Sequence, residues 1–279
     1  MVVNTTPFEP SERGIWLYSH LYPSGFTQEM IDCGFYPKKV NTVYLSATLT
    51  SWQDPVKGPQ LTNWVAYARS KGIRVFSSTL EDPSFTVANE ATLRSWFGGM
   101  IQGTKNIFDT YVIDVEPHTI NLVYGTDFSD YETNKAFYFN KYVEMSAILR
   151  TIADEEGVRY VDTVPWWYHE QWIAEGITGG LNNVSSHAMT LMSYSNTIEA
   201  IVINTRKVRE EVGTLDNKRL LIAFNIVPGM TLDPAIPKPN IIHALNILKS
   251  INMPMAYYMA DQVEFFDEEH HYFQDPEEG

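Results

Sequence analysis

The stretch FDTYVIDVEPH, Phe108 to His118, decides the fold. Its centre, TYVIDVE at 110–116, is a short run of β-branched and aromatic residues that ends on two carboxylates and a proline. That pattern marks a buried strand with a polar C-terminal end. Side chains alternate along a strand, so Val112, Asp114 and Glu116 share one face.

Seven more runs of this kind flank it: GIWLYS (14–19), NTVYLSA (41–47), IRVFSSTL (73–80), RYVDTVPWW (159–167), AMTLMSY (188–194), RLLIAFNIV (219–227) and MPMAYYMA (253–260). Amphipathic segments lie between them, most clearly at 61–72, 134–157 and 197–213. Each of these three closes on a glycine just before a strand, namely Gly72, Gly157 and Gly213, as a C-cap requires. Strands that alternate with helices of this length pair in parallel, and eight repeats close naturally into a barrel. The predicted fold is therefore α/β, a single (β/α)8 TIM barrel over 14–266, with an N-terminal extension at 1–13 and an acidic tail at 267–279. An open doubly wound sheet fits less well, because YSHLYPSG follows the first strand where a glycine-rich phosphate loop would stand.

Composition narrows the partners. The net charge of -14 comes from 34 acids against 20 Lys and Arg with no dense basic patch, which argues against nucleic acid and anionic membrane. Sixteen Tyr and seven Trp supply both core filler and rings that can stack on sugars. A single cysteine, Cys33, excludes an intrachain disulfide, and the histidines lack H-E-x-x-H spacing, so neither a metal nor a cofactor is expected. No apolar segment reads as a signal peptide or a membrane span; the expectation is a soluble chain, cytoplasmic or secreted with its leader already removed.

In a barrel of this kind the chemistry sits at the C-terminal ends of the strands. Asp114 and Glu116 are the leading candidates, since one carboxylate beside another holds its proton to higher pH and suits a general acid. A two-carboxylate glycosidase needs a partner acid on another strand, yet strand seven ends AFNIVPG with Asn225 and no carboxylate. Glu81 and Asp82 after strand three, and Asp261 and Glu264 after strand eight, keep that mechanism open. The alternative takes the nucleophile from the substrate: a 2-acetamido oxygen oriented by Asp114, with Glu116 protonating the glycosidic oxygen and Tyr194, ending strand six, donating to the acetamido group. Around them VPWWYHEQW places Trp166, Trp167 and Tyr168 beside the mouth. Alternation sends Trp166 and Trp167 to opposite sides, one as a sugar platform and the other toward the helices. Asp162, His118, Asn225 and Glu81 complete the expected substrate contacts.

DTYVIDVE, Asp109 to Glu116, resembles the fourth-strand motif D-G-x-D-x-D-x-E of family 18 chitinases and endo-β-N-acetylglucosaminidases. Asp109, Asp114 and Glu116 match; Thr110 replaces the glycine and Val112 the middle aspartate. MSY at 192–194 resembles that family's sixth-strand M-x-Y, whereas Ser195 stands where an aspartate commonly follows and MAYYMADQ has no match to the eighth-strand tryptophan. The chain also resembles a set of poorly characterised glycosidase-like barrels through DVEPH (114–118), VDTVPWWY (161–168) and LMSYSNT (191–197). These likenesses imply a glycoside hydrolase acting on an N-acetylhexosamine-containing glycan, with Val112 leaving Asp114 to act alone. A catalytically silent carbohydrate-binding barrel and a conventional two-carboxylate glycosidase are the alternatives.

Overall fold

The computed structural model describes residues 13–19, 26–35, 40–193, 198–212, 220–225 and 255–258. Eight strands form one closed parallel barrel in chain order: β1 (Arg13–Tyr18), β2 (Thr42–Ser46), β3 (Arg74–Thr79), β4 (Thr110–Ile113), β5 (Arg159–Pro165), β6 (Ala188–Met192), β7 (Leu220–Asn225) and β8 (Met255–Tyr258). The closing pair sets Arg13 opposite Met255. Closure removes every sheet edge, which explains why each strand reads as nearly continuous apolar sequence.

The described helices are α1 (Leu49–Gln53), α2 (Lys57–Ser70), α3 (Glu90–Leu93), α4 (Gly99–Thr104), α5 (Ile120–Tyr124), α6 (Lys135–Glu156), α7 (Tyr168–Ala174) and α8 (Ile198–Glu211). Helix α6 ends as its sequence predicts: Gly157 adopts φ 69°, and its amide donates to the carbonyls of Ala153 and Asp154. Only a residue without Cβ takes that conformation cheaply, so the chain can turn there into β5. Gly213 lies outside the described residues.

Two apolar clusters divide the interior. The larger packs the outer faces of the strands against the helices and includes Tyr111, Val115, Phe139, Tyr160, Val164 and Trp172. The smaller fills the lumen with Trp16, Tyr18, Tyr44, Phe76, Val112, Val161, Ala188 and Met192. Within it Trp16 stacks on Tyr44 at 4.0 Å between ring centres, and Tyr44 meets Phe76 edge-on at 5.7 Å. The rings of β1 to β3 thus plug one side of the lumen while small aliphatics line β4 to β6. The barrel is a packed core with chemistry possible only at its mouth.

Candidate active site

β4 is shorter than its sequence suggests. The strand stops at Ile113, although the Asp114 amide makes one further rung to the Leu80 carbonyl at 3.3 Å. Glu116 precedes a 3-10 turn at Pro117–Thr119, where proline suits the first position and carries the chain away from the barrel. Val112 sits in the lumen cluster, and Tyr111 and Val115 belong to the outer one, so alternation turns Asp114 inward, directly above Val112.

The electrostatics follow from that position. Burial, reinforced by the charges of Glu116, Glu81 and Asp162, pushes the Asp114 carboxyl well above the usual carboxylate range. Its Oδ1 is buried and has no hydrogen-bond partner among the described residues. Burial lifts Glu116 to about 7. A carboxyl with that pKa is half-protonated near neutrality, so it can give a proton and take one back.

Glu81 stands at the same mouth, where the Ser46 hydroxyl donates to its Oε1 at 2.9 Å. The residue before it, Leu80, adopts φ 54°, a left-handed backbone that costs a branched side chain energy and is concentrated at functional sites. Both oxygens of Asp82 are taken up locally instead: Oδ1 accepts from the Ser84 amide at 2.9 Å and Oδ2 from the Tyr124 hydroxyl at 2.5 Å.

His118 follows the acid pair on the 3-10 turn. Its Nδ1 lies 2.8 Å from the Tyr168 hydroxyl, and its ring meets Trp167 edge-on at 5.0 Å. Burial pushes His118 down to about 4, so the imidazole is neutral at physiological pH. Tyr168 itself is fully buried, stacked on Trp172, and supports His118 from below rather than presenting a surface to substrate. Trp166 and Trp167 are both half-buried and both pack against the outer core, with the Trp166 amide bonded to the Met192 carbonyl at 3.1 Å.

Asp162 is placed differently from the expectation that put it near substrate. It is fully buried on the outer face of β5, where its carboxylate accepts from the hydroxyls of Tyr142 and Tyr160, each at 2.6 Å. Val161 and Thr163 are the residues of β5 that face inward, so Asp162 lies behind the barrel wall. Burial raises it to about 7 despite both donors. Tyr194, Asp261 and Glu264 lie outside the described residues, and Asn225 closes β7 opposite Tyr258.

Sequence reading missed a row of hydroxyls beside Asp114. β5 and β6 bring Thr163 opposite Thr190, and both hydroxyls are buried without a partner among the described residues, as is that of Ser78 on β3. Threonines spaced to share a face with Val161 and Ala188 were the available signal. No group of three or more His, Cys, Asp or Glu among the described residues is arranged to hold a metal ion, and no described helix is long and apolar enough to cross a membrane.

No family model and no curated protein matches the sequence. Solved structures do match the fold. A GH18 chitinase from Pseudoalteromonas aurantia is 12% identical, covers 95% of this chain and 98% of its own, and superposes with a TM-score of 0.60. Catalytic domain 2 of the Ostrinia furnacalis Group II chitinase is 11% identical over 90% of both chains, with a TM-score of 0.58. The glycoside hydrolase domain of PgaB (BpsB) from Bordetella bronchiseptica is 12% identical, covers 94% of this chain and 97% of its own, and has a TM-score of 0.57. The protein thus has a GH18-like (β/α)8 barrel, a fold that these glycoside hydrolases share.

Proposed function

We propose that the protein is a glycoside hydrolase that cleaves an N-acetylhexosamine-containing glycan by substrate-assisted catalysis. The observation that carries the reading is the pair of half-buried acids at the end of β4, one held near neutral pKa and the other well above the carboxylate range. Glu116 donates its proton to the glycosidic oxygen as the bond to the anomeric carbon breaks. The acetamido carbonyl oxygen of the same sugar attacks that carbon, and a carboxyl oxygen of Asp114 accepts the acetamido N–H and holds the group in line for the attack. Glu116, now a carboxylate, deprotonates the water that opens the cyclic intermediate, which returns the proton to Glu116. In this reading Tyr194 donates to the acetamido oxygen, Trp166 or Trp167 stacks on a sugar ring, and His118, Asn225 and Glu81 contact sugar hydroxyls.

Hydrolysis of aryl N-acetylglucosaminides and chitooligosaccharides by wild type and Glu116→Gln tests the assignment. Turnover by wild type with a loss of about a hundredfold or more in the variant is expected; equal rates sink it. A two-carboxylate mechanism is the second reading, favoured by Glu81, whose charge reaches Asp114. It predicts that Glu81→Gln is as damaging as Glu116→Gln. Glycan binding that survives Glu116→Gln, with no turnover by wild type, would instead identify a silent carbohydrate-binding barrel.

A further inference from the structure

We propose that Thr163 and Thr190 are positioning residues that hold the Asp114 carboxyl through a row of hydroxyl hydrogen bonds across β4, β5 and β6. The inference rests on the reading of Asp114 as the group that orients the acetamido substituent.

The register supplies the row. Thr163 lies opposite Thr190, and Ile113 lies opposite Asp162, so the next residue along, Asp114, comes beside Thr163. Residues paired across parallel strands point to the same side. Two positions earlier on each strand stand Val112, Val161 and Ala188, all members of the lumen cluster. Asp114, Thr163 and Thr190 therefore form the next tier, facing the lumen above an apolar one. Thr163 is 2% exposed and Thr190 0%, which removes bulk solvent as a partner for their hydroxyls. Oδ1 of Asp114 and both hydroxyl oxygens have no hydrogen-bond partner among the described residues.

A buried polar atom left without a partner is costly, and these three sit on neighbouring strands where they can pair with one another. Neighbouring strands lie about 4.8 Å apart, and a threonine hydroxyl moves between staggered positions by rotation about χ1. None of the three pairs with another as the side chains stand; in the row, rotation about χ1 brings the Thr190 hydroxyl to donate to the Thr163 oxygen and the Thr163 hydroxyl to donate to Oδ1 of Asp114. The second oxygen of Asp114 is then left for the acetamido N–H. Val112, with no polar atom, contributes nothing from below. The orientation of Asp114 has to come from the side.

The test uses the isosteric variants Thr163→Val and Thr190→Val, with Thr163→Ser as the conservative control. Its first readout needs no turnover: carboxyl-carbon NMR titration of the full chain, with the Asp114 resonance assigned by its loss in Asp114→Asn. A hydrogen bond donated to a carboxylate favours its charged form, so losing the donor raises the apparent pKa of Asp114 by about one unit in Thr163→Val. A smaller rise is expected in Thr190→Val, and Thr163→Ser returns it to the wild-type value. The second readout is kinetic: kcat on an N-acetylglucosaminide falls roughly tenfold in Thr163→Val while KM holds, the mark of misplaced geometry. An unchanged Asp114 titration in Thr163→Val overturns the proposal whatever the activity. If Thr163→Val does not fold, an unchanged titration in Thr190→Val does the same. A shifted titration in proteins that hydrolyse no N-acetylated sugar leaves the row standing and overturns the glycosidase reading.

Discussion

Replacing Glu116 by glutamine should make the protein more stable, and only at high pH. Burial raises the Glu116 carboxyl from its usual 4.5 to about 7, so the folded state binds this proton more tightly than the unfolded chain does. A raised pKa contributes stability that is complete below the unfolded value and is lost as pH rises through the folded one. The gap between 4.5 and about 7, at ~1.4 kcal/mol per pH unit, amounts to about 3 kcal/mol that wild type loses between acid and mildly alkaline solution. Glutamine has nearly the same shape, carries no charge and titrates nowhere, so it escapes that loss. Urea unfolding followed by tryptophan fluorescence measures the difference. Near pH 4.5 the two proteins should unfold within about 1 kcal/mol of each other, and near pH 8 the variant should be the more stable by about 2–3 kcal/mol. A stability difference that is the same at both pH values would refute the burial argument. The same trade of stability for a working acid is expected wherever a catalytic group is held in an environment unfavourable to its charge.

Other perturbations probe the structure around the acid pair. Tyr142→Phe removes a donor from Asp162 Oδ1 and should cost about 2 kcal/mol near pH 8, with less lost near pH 5 where Asp162 is protonated; equal losses by urea unfolding would contradict its raised pKa of about 7. His118, pushed down to about 4, should show no imidazole titration by proton NMR between about pH 5 and 8, and a midpoint near 6.5 would mean the ring is solvated. Gly58→Ala, in the first turn of α2, forces a Cβ onto the Trp52 carbonyl oxygen of α1 across the tight turn that joins them, and should lower stability by about 2 kcal/mol in thermal unfolding. An unchanged melting temperature would show that this turn yields freely.

The barrel was legible because a parallel strand buried on both faces is a short apolar run, and eight such runs alternate with helical segments. The acid pair was legible for the opposite reason: two carboxylates at the end of TYVIDVE break a pattern that otherwise avoids charge. Burial on both faces also hides which face is which. In VDTVP the acid looks like the functional residue and the threonine like filler, yet β5 turns Val161 and Thr163 inward and sends Asp162 outward to Tyr142 of α6. Two hydroxyls make an outward aspartate tolerable, Tyr160 from the same strand and Tyr142 from the helix packed behind it, and the strand's own sequence shows only the first. Tyr168 was misjudged similarly, since its first position in α7 puts it beneath His118 and Trp167. The left-handed turn at Leu80 had no signal, because leucine rarely adopts that conformation.

The most direct measurement of the central claim is proton NMR of a chitooligosaccharide mixed with wild type and with Glu116→Gln, recorded before the new reducing ends equilibrate. Substrate-assisted cleavage at the acid pair predicts fresh β-anomers from wild type and none from the variant. Fresh α-anomers, or the same rate of release from both proteins, would contradict it.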